Sequence, residues 1–154
     1  MSEKILTIGY SALANRVKNI TPPVVNLAHE VFISIQDPEK LDLAFPNNFE
    51  FRSIKSNDLG VAKSRNVVLK NTKTKYLLFA DDEIVFLSDG IKSAISYLEA
   101  NPDCDLLLTR AIDTNGALRK DYSNKKENLT KFNTAKAATY EMIVRVDSVR
   151  NKDV

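Results

Sequence analysis

Through the first two-thirds of the chain, apolar positions switch between the period of two that marks strands and the helical period. Ile5-Leu6-Thr7-Ile8-Gly9-Tyr10 is rich in β-formers and predicts an opening strand. Leu13, Val17 and Ile20 at helical spacing predict a first helix over residues 12–20, closed by Pro22-Pro23. Residues 30–35 predict a second strand, and the alternation Phe49-Glu50-Phe51-Arg52-Ser53-Ile54 predicts a third. Gly60 precedes a helical run over residues 61–71, in which Val61, Ala62, Arg65, Val68 and Leu69 share spacing. Tyr76-Leu77-Leu78-Phe79-Ala80 is a short continuous apolar run of the kind buried on both faces of a parallel sheet. A helix opening at Asp89-Gly90 carries Ile91, Ala94, Ile95 and Leu98 as one stripe and stops at Asn101-Pro102. Asp105-Leu106-Leu107-Leu108-Thr109 predicts a further buried strand.

Alternating strands and helices imply one α/β domain over residues 1–154, with a mostly parallel sheet flanked by helices. Beyond Ile112 the pattern changes. Asn115-Gly116 is a hairpin-turn signal, residues 123–134 read as a polar, mobile surface loop, and residues 139–146 read as a late strand, so a C-terminal hairpin or mixed edge is expected. No internal repeat suggests a solenoid.

Composition narrows the classes. With 44% hydrophobic and 27% charged residues, the chain is neither disordered nor a disulfide scaffold. A net charge of +2 gives no reason to expect nucleic acid as partner. One cysteine and one histidine make neither a disulfide nor a Cys/His metal site; Cys104, between Asp103 and Asp105, is expected to be inert, and His29 is expected at the surface or in a hydrogen bond. No secretion signal or membrane span is read, and the expected location is cytoplasmic. Lys120, Lys125, Lys126, Lys131 and Lys136 form a basic loop, read as solvated, with contact to anionic lipid or a phosphorylated acceptor as the alternative.

None of the four glycines, Gly9, Gly60, Gly90 and Gly116, falls in a phosphate-cradling spacing. A nucleotide bound at the strand ends of such a sheet therefore needs another way to neutralise its diphosphate. Asp81-Asp82-Glu83 stands directly after the apolar strand, where α/β sheets keep their active sites. Side-chain alternation predicts that Asp81 and Glu83 converge while Asp82 faces away. Hard oxygen ligands in that position suit Mg²⁺ or Mn²⁺. A solvated acidic turn is the competing reading.

Gly60-Val61-Ala62-Lys63-Ser64-Arg65-Asn66, followed by a strand running into Asp81-Asp82-Glu83, resembles glycosyltransferase family 2, in which a G-x-x-x-x-R-N helix precedes a strand ending in the DXD motif. The opening strand, Ile35-Gln36-Asp37 and the stretch from Ala138 to Arg145 fall where that family places its nucleotide pocket and the strand before its acceptor region, so the resemblance spans nearly the whole chain. It implies a GT-A (Rossmann-like) fold and a metal-dependent, inverting transfer from a nucleotide-sugar, most readily a UDP-sugar, to a saccharide or lipid-linked acceptor in bacterial cell-surface polysaccharide synthesis. The donor residues it implies are Gly9, Tyr10, Ser11, Gln36, Asp37, Arg65, Asp81 and Asp82, with Tyr10 the candidate to stack on a base and Asp81 and Glu83 the candidate ligands of Mn²⁺ or Mg²⁺. Two positions depart from the family pattern: Glu83 stands where an aspartate is usual, and Gln36 stands where the family often has Asp, leaving Asp37 to serve instead.

Family members usually continue well past a point equivalent to Val154, through an acceptor segment that carries the general base. A truncated chain is therefore expected, and no residue here is assigned as base. A non-catalytic nucleotide-binding or assembly module is the alternative, and a metal-dependent nucleotidyltransferase is a third reading. Peripheral membrane contact and a homodimer covering an exposed sheet edge are further expectations.

Overall fold

The computed structural model describes residues 3–37, 39, 45, 48–57, 59–123, 127–130, 133–134 and 137–150. Strands β1 (Leu6–Leu13), β2 (His29–Gln36), β3 (Arg52–Ser56), β4 (Tyr76–Ala80), β5 (Leu106–Leu108) and β6 (Met142–Arg145) form one sheet in the order β3-β2-β1-β4-β6-β5. β1, β2, β3 and β4 run parallel, and β6 lies antiparallel between β4 and β5. The expected mostly parallel sheet with a mixed edge is thus present.

Side-chain alternation divides the core in two. Leu6, Ile8, Tyr10 and Ala12 of β1 share one face with Ile33 and Ile35 of β2 and with Leu78 and Ala80 of β4. Helix α2 (Ser88–Ala100) covers that face with the predicted stripe Ile91, Ala94, Ile95 and Leu98. A stripe of this kind wins because each large apolar side chain fully buried contributes about 1.5–3 kcal/mol. On the opposite face, Phe32, Leu77 and Val144 pack with Val68 of α1 (Val61–Asn71) and Val146 of α3 (Val146–Arg150).

Gly9 sets how closely α1 lies on the sheet. A β-carbon there would stand 2.2 Å from Val68 Cγ1 and 2.8 Å from Leu77 Cδ1.

Five elements differ from the pattern-based expectation. The opening strand continues three residues past Tyr10, because Ser11, Ala12 and Leu13 pair with Ser34, Ile35 and Gln36. What forms in place of the predicted first helix is a 3-10 helix, Ala14–Asn19, ahead of the prolines. β3 begins at Arg52 and is mostly exposed, as an edge strand pairing only with β2. β5 is a half-buried edge rather than a buried strand. The late segment divides into a 3-10 turn (Thr139–Glu141), β6 and α3.

The Asn115-Gly116 turn is present: Gly116 has φ +84°, Ile112 bridges Leu118, and Asp113 N–H donates to Ala117 O at 2.8 Å. Much of the polar loop expected at 123–134, including Lys125, Lys126 and Lys131, lies outside the described residues, as does Lys136. Among the described residues no helix is long and apolar enough to cross a membrane.

Candidate functional site

The carboxyl ends of β1, β2 and β4 lie side by side, and the acidic triplet leaves the sheet there. Asp81 is the last residue to follow the strand. Asp82 and Glu83 form a turn, and Ile84 N–H donates back to Asp81 O at 3.1 Å. Alternation therefore stops at Asp81, and the side chains group differently from the expected Asp81/Glu83 pairing.

Arg65, on α1, donates Nη2 to both Asp81 oxygens, at 3.0 and 3.2 Å. Arg16, on the 3-10 helix that follows β1, donates Nε to Asp82 Oδ2 at 2.6 Å, and its Nη2 bonds Glu83. The Asp82 side chain is only 9% exposed and that of Glu83 is 76% exposed. Asp82 is thus a fixed anchor, while Glu83 is held at the surface.

Of the remaining predicted donor residues, Gly9, Tyr10 and Ser11 sit deeper than the sequence places them, while Gln36 and Asp37 stand at the end of β2 as expected. Because β1 runs on to Leu13, Tyr10 lies inside the sheet, fully buried on the α2 side, and presents no free ring face to a base. Gly9 faces Val68, so its lack of a side chain serves the α1 contact. Gln36 accepts the Gly60 N–H through Oε1 at 2.8 Å and ties the end of β2 to the start of α1. Asp37 follows in the left-handed region, φ +53°, a conformation Asp tolerates better than most residues, and turns the chain off the strand. Ser11 and its register partner Ser34, together with Ser64 in the first turn of α1, bury hydroxyls that have no partner among the described residues. The α1 interface is therefore polar at the strand ends and tightly apolar one turn further in.

Sequence reasoning missed two groups. Arg16 carries no local signal, being one surface arginine in a polar segment. Glu141 is more legible: it is a carboxylate inside a mostly apolar predicted strand, and such a group needs a partner. Its side chain is 1% exposed, takes Lys120 Nζ at 2.6 Å and accepts the Tyr122 hydroxyl at 2.5 Å. That ties the segment after β5 to the start of β6, at the same end of the sheet as Asp81, and it gives Lys120 of the basic loop a buried partner.

Searches against known proteins bear on the fold. A scan against protein-family models finds no match, and no curated protein sequence matches. Among solved structures, Staphylococcus aureus TarS 1-349 superposes with a TM-score of 0.66 at 15% identity, covering 97% of this chain and 49% of that one. TarS 1-349 in complex with UDP-GlcNAc gives 0.63 at 18% identity, with 99% and 48% covered. A CMP:2-keto-3-deoxy-manno-octonic acid synthetase complexed with CTP gives 0.55 at 12% identity, with 96% and 77% covered. The fold is GT-A-like. The chain spans about half the length of the TarS 1-349 structures it matches.

The donor chemistry can be tested against a divalent cation. Among the described residues no group of three or more His, Cys, Asp or Glu side chains could by itself hold a metal ion. Magnesium, however, is usually bound through one or two carboxylates plus substrate phosphates, not by an all-protein cage. Three carboxylates against two arginines leave the turn with one net negative charge, which repels a diphosphate until a cation reverses the sign. The residues therefore fit a cation that arrives with the nucleotide.

Proposed function

We propose that this chain binds a nucleotide-sugar, a UDP-sugar by preference, at the carboxyl ends of β1, β2 and β4, and that it serves transfer of the sugar to an acceptor hydroxyl. The observation that carries the reading is the joining of Arg16 and Arg65, from two different elements, to the acidic turn on a GT-A-like fold. The neighbour structures with UDP and UDP-GlcNAc support it.

In an inverting transfer the acceptor oxygen attacks the anomeric carbon opposite the diphosphate. The new C–O bond forms as the old one breaks, the electron pair leaves with the diphosphate, and the acceptor proton passes to a base. Asp81 would hold Mg²⁺ or Mn²⁺ together with the substrate's phosphates, and the ion would supply Lewis-acid stabilisation of the leaving diphosphate; Glu83 would join it only on leaving Arg16. Arg65 keeps the Asp81 carboxylate aimed along the strand end, and Arg16 keeps Asp82 fixed so that the turn holds its shape. On release from Asp81 or Glu83, either guanidinium is a planar fork matched to phosphate oxygens.

Calorimetric titration with UDP, with and without MnCl₂, tests this. Mn²⁺ should tighten binding at least tenfold in the parent. Asp81→Ala should lose that gain while changing stability by no more than about 1 kcal/mol, the range for partly exposed ion pairs. Metal-independent UDP affinity, unaltered in Asp81→Ala, would overturn the proposal. The CTP-bound neighbour favours a second reading, a nucleotidyltransferase, which predicts tighter binding of a nucleoside triphosphate than of UDP or UDP-GlcNAc.

A further inference from the structure

Two contacts fix how α1 lies over β1 and β2. At its start, Gly60 N–H donates to Gln36 Oε1 at 2.8 Å, at the level of the register pair Leu13 and Gln36. About two turns further on, Val68 packs against Gly9, at the level of the pair Gly9 and Phe32. The helix therefore runs back along the strands: between residues 60 and 68 it rises about 12 Å, and between residues 36 and 32 the strand rises about 13 Å. Ser64 is midway along the helix between these contacts, and the pair Ser11 and Ser34 is midway along the strands. Side-chain alternation turns Ser11 to the face of Gly9 and Ser34 to the face of Phe32, which is the face α1 covers. The three hydroxyls thus share one layer between helix and sheet.

The layer reaches the acidic turn. Tyr10 pairs with Ala80, which sets Asp81 level with Ser11 on the neighbouring strand, and Arg65, the residue after Ser64, donates Nη2 to Asp81 at 3.0 Å. The Oγ atoms of Ser11, Ser34 and Ser64 and the Nε of Arg65 are all buried with no hydrogen-bond partner among the described residues. The three serines are 7%, 0% and 3% exposed. Groups buried in this state are costly, and protein interiors pair nearly all of them. The Tyr10 hydroxyl, unpartnered on the opposite face, stands among apolar side chains and has no such company.

A water molecule supplies what these groups lack. An enclosed water needs about two to four polar partners, serine hydroxyls both donate and accept, and Nε–H donates. An ion fits less well, because Arg65 and Asp81 balance each other and a further buried charge of either sign would stand unpaired. An apolar filling would leave all of these groups unpaired. We propose that α1 and the sheet enclose an ordered water held by Ser11, Ser34 and Ser64, and that this water accepts the Arg65 Nε–H. With Nη2 on Asp81 and Nε on the water, the guanidinium is held along two edges, which makes the serines positioning residues for the Arg65–Asp81 pair. Their bearing on donor binding rests on the function proposed above.

The test compares the whole chain with Ser34→Ala/Ser64→Ala. Relaxation dispersion of ¹⁷O-labelled water counts long-lived internal waters, and the ¹⁵N–¹H signal of Arg65 Nε, assigned with Arg65→Lys, reports on the guanidinium. The double variant should lose one long-lived water, and its Arg65 Nε–H should exchange with solvent at least about tenfold faster. It should also be less stable in urea, since it loses bridged hydroxyls and leaves Arg65 Nε unpaired. UDP affinity in the presence of Mg²⁺ should fall at least about threefold. Should the double variant not fold, Ser34→Ala and Ser64→Ala singly should each speed Nε–H exchange. An unchanged water count or Nε–H signal overturns the proposal, as does a variant more stable than the parent, the result expected of dry, unpaired hydroxyls. Unchanged UDP affinity overturns the positioning role of the serines. Failure of the donor reading is separately visible, as absence of UDP binding in a parent that keeps both the water and the slowly exchanging Nε–H.

Discussion

Replacing Gly9 by alanine separates a structural role from a ligand-contact role. The added carbon would meet Val68 Cγ1 at 2.2 Å and Leu77 Cδ1 at 2.8 Å, where ordinary carbon contacts are about 3.5–4.0 Å. Val68 has no easy escape: it is fully buried, and a β-branched side chain on a helix has one strongly preferred rotamer. Either α1 lifts from the sheet or the core repacks, at a cost of about 1–3 kcal/mol. Trimming the obstacle should help, so Gly9→Ala/Val68→Ala should be less destabilised than the two single changes added together, by at least about 1 kcal/mol. Urea unfolding of the parent, both single variants and the double variant measures this coupling. Because α1 carries Arg65, Gly9→Ala should also weaken UDP binding, and the double variant should recover part of it. Gly9→Ala with parent stability and lost UDP affinity would refute the reasoning and return Gly9 to the ligand.

Two further outcomes are expected. Tyr10→Phe should leave UDP binding unchanged and raise stability by up to about 1 kcal/mol, since it deletes a buried hydroxyl with no partner among the described residues; destabilisation in urea would show that the hydroxyl is satisfied. Burial pushes the Glu30 carboxyl up, but hydrogen bonds from Arg52 and Thr7 and the charges of Arg52 and Lys4 outweigh it and hold the carboxyl below its usual range. Its contribution is therefore fully present above the ordinary glutamate pKa of about 4.3 and is lost as pH falls through the depressed folded value. Thermal melts from pH 7 down to pH 3 should show the parent losing more than Glu30→Gln, and parallel curves would contradict this.

What the sequence disclosed follows from how many partners each element has. The α2 stripe was legible because one helix face meets one sheet face, so period alone decides. The end of β1 was not, because Ala12 and Leu13 suit a helix as well as a strand, and the choice is made by pairing with Ile35 and Gln36 far along the chain. That single misplacement carried Gly9 and Tyr10 to a strand end when they belong to its interior. The acidic triplet was found by position, but its grouping depended on where extended geometry stops, and the turn at Asp82 and Glu83 sets that. The arginines at the site divide likewise. Arg65 stood in a motif, whereas Arg16 gains meaning only from the 3-10 helix that brings it to the sheet's carboxyl end.

The most direct measurement is amide NMR of the ¹⁵N-labelled chain titrated with UDP-GlcNAc in the presence of Mg²⁺. Saturable shifts are predicted in residues 11–16, 34–37, 60–65 and 81–83, all at one end of the sheet. No shifts at millimolar ligand, or shifts confined to the opposite end around Thr7, Thr74 and Arg145, would contradict the account.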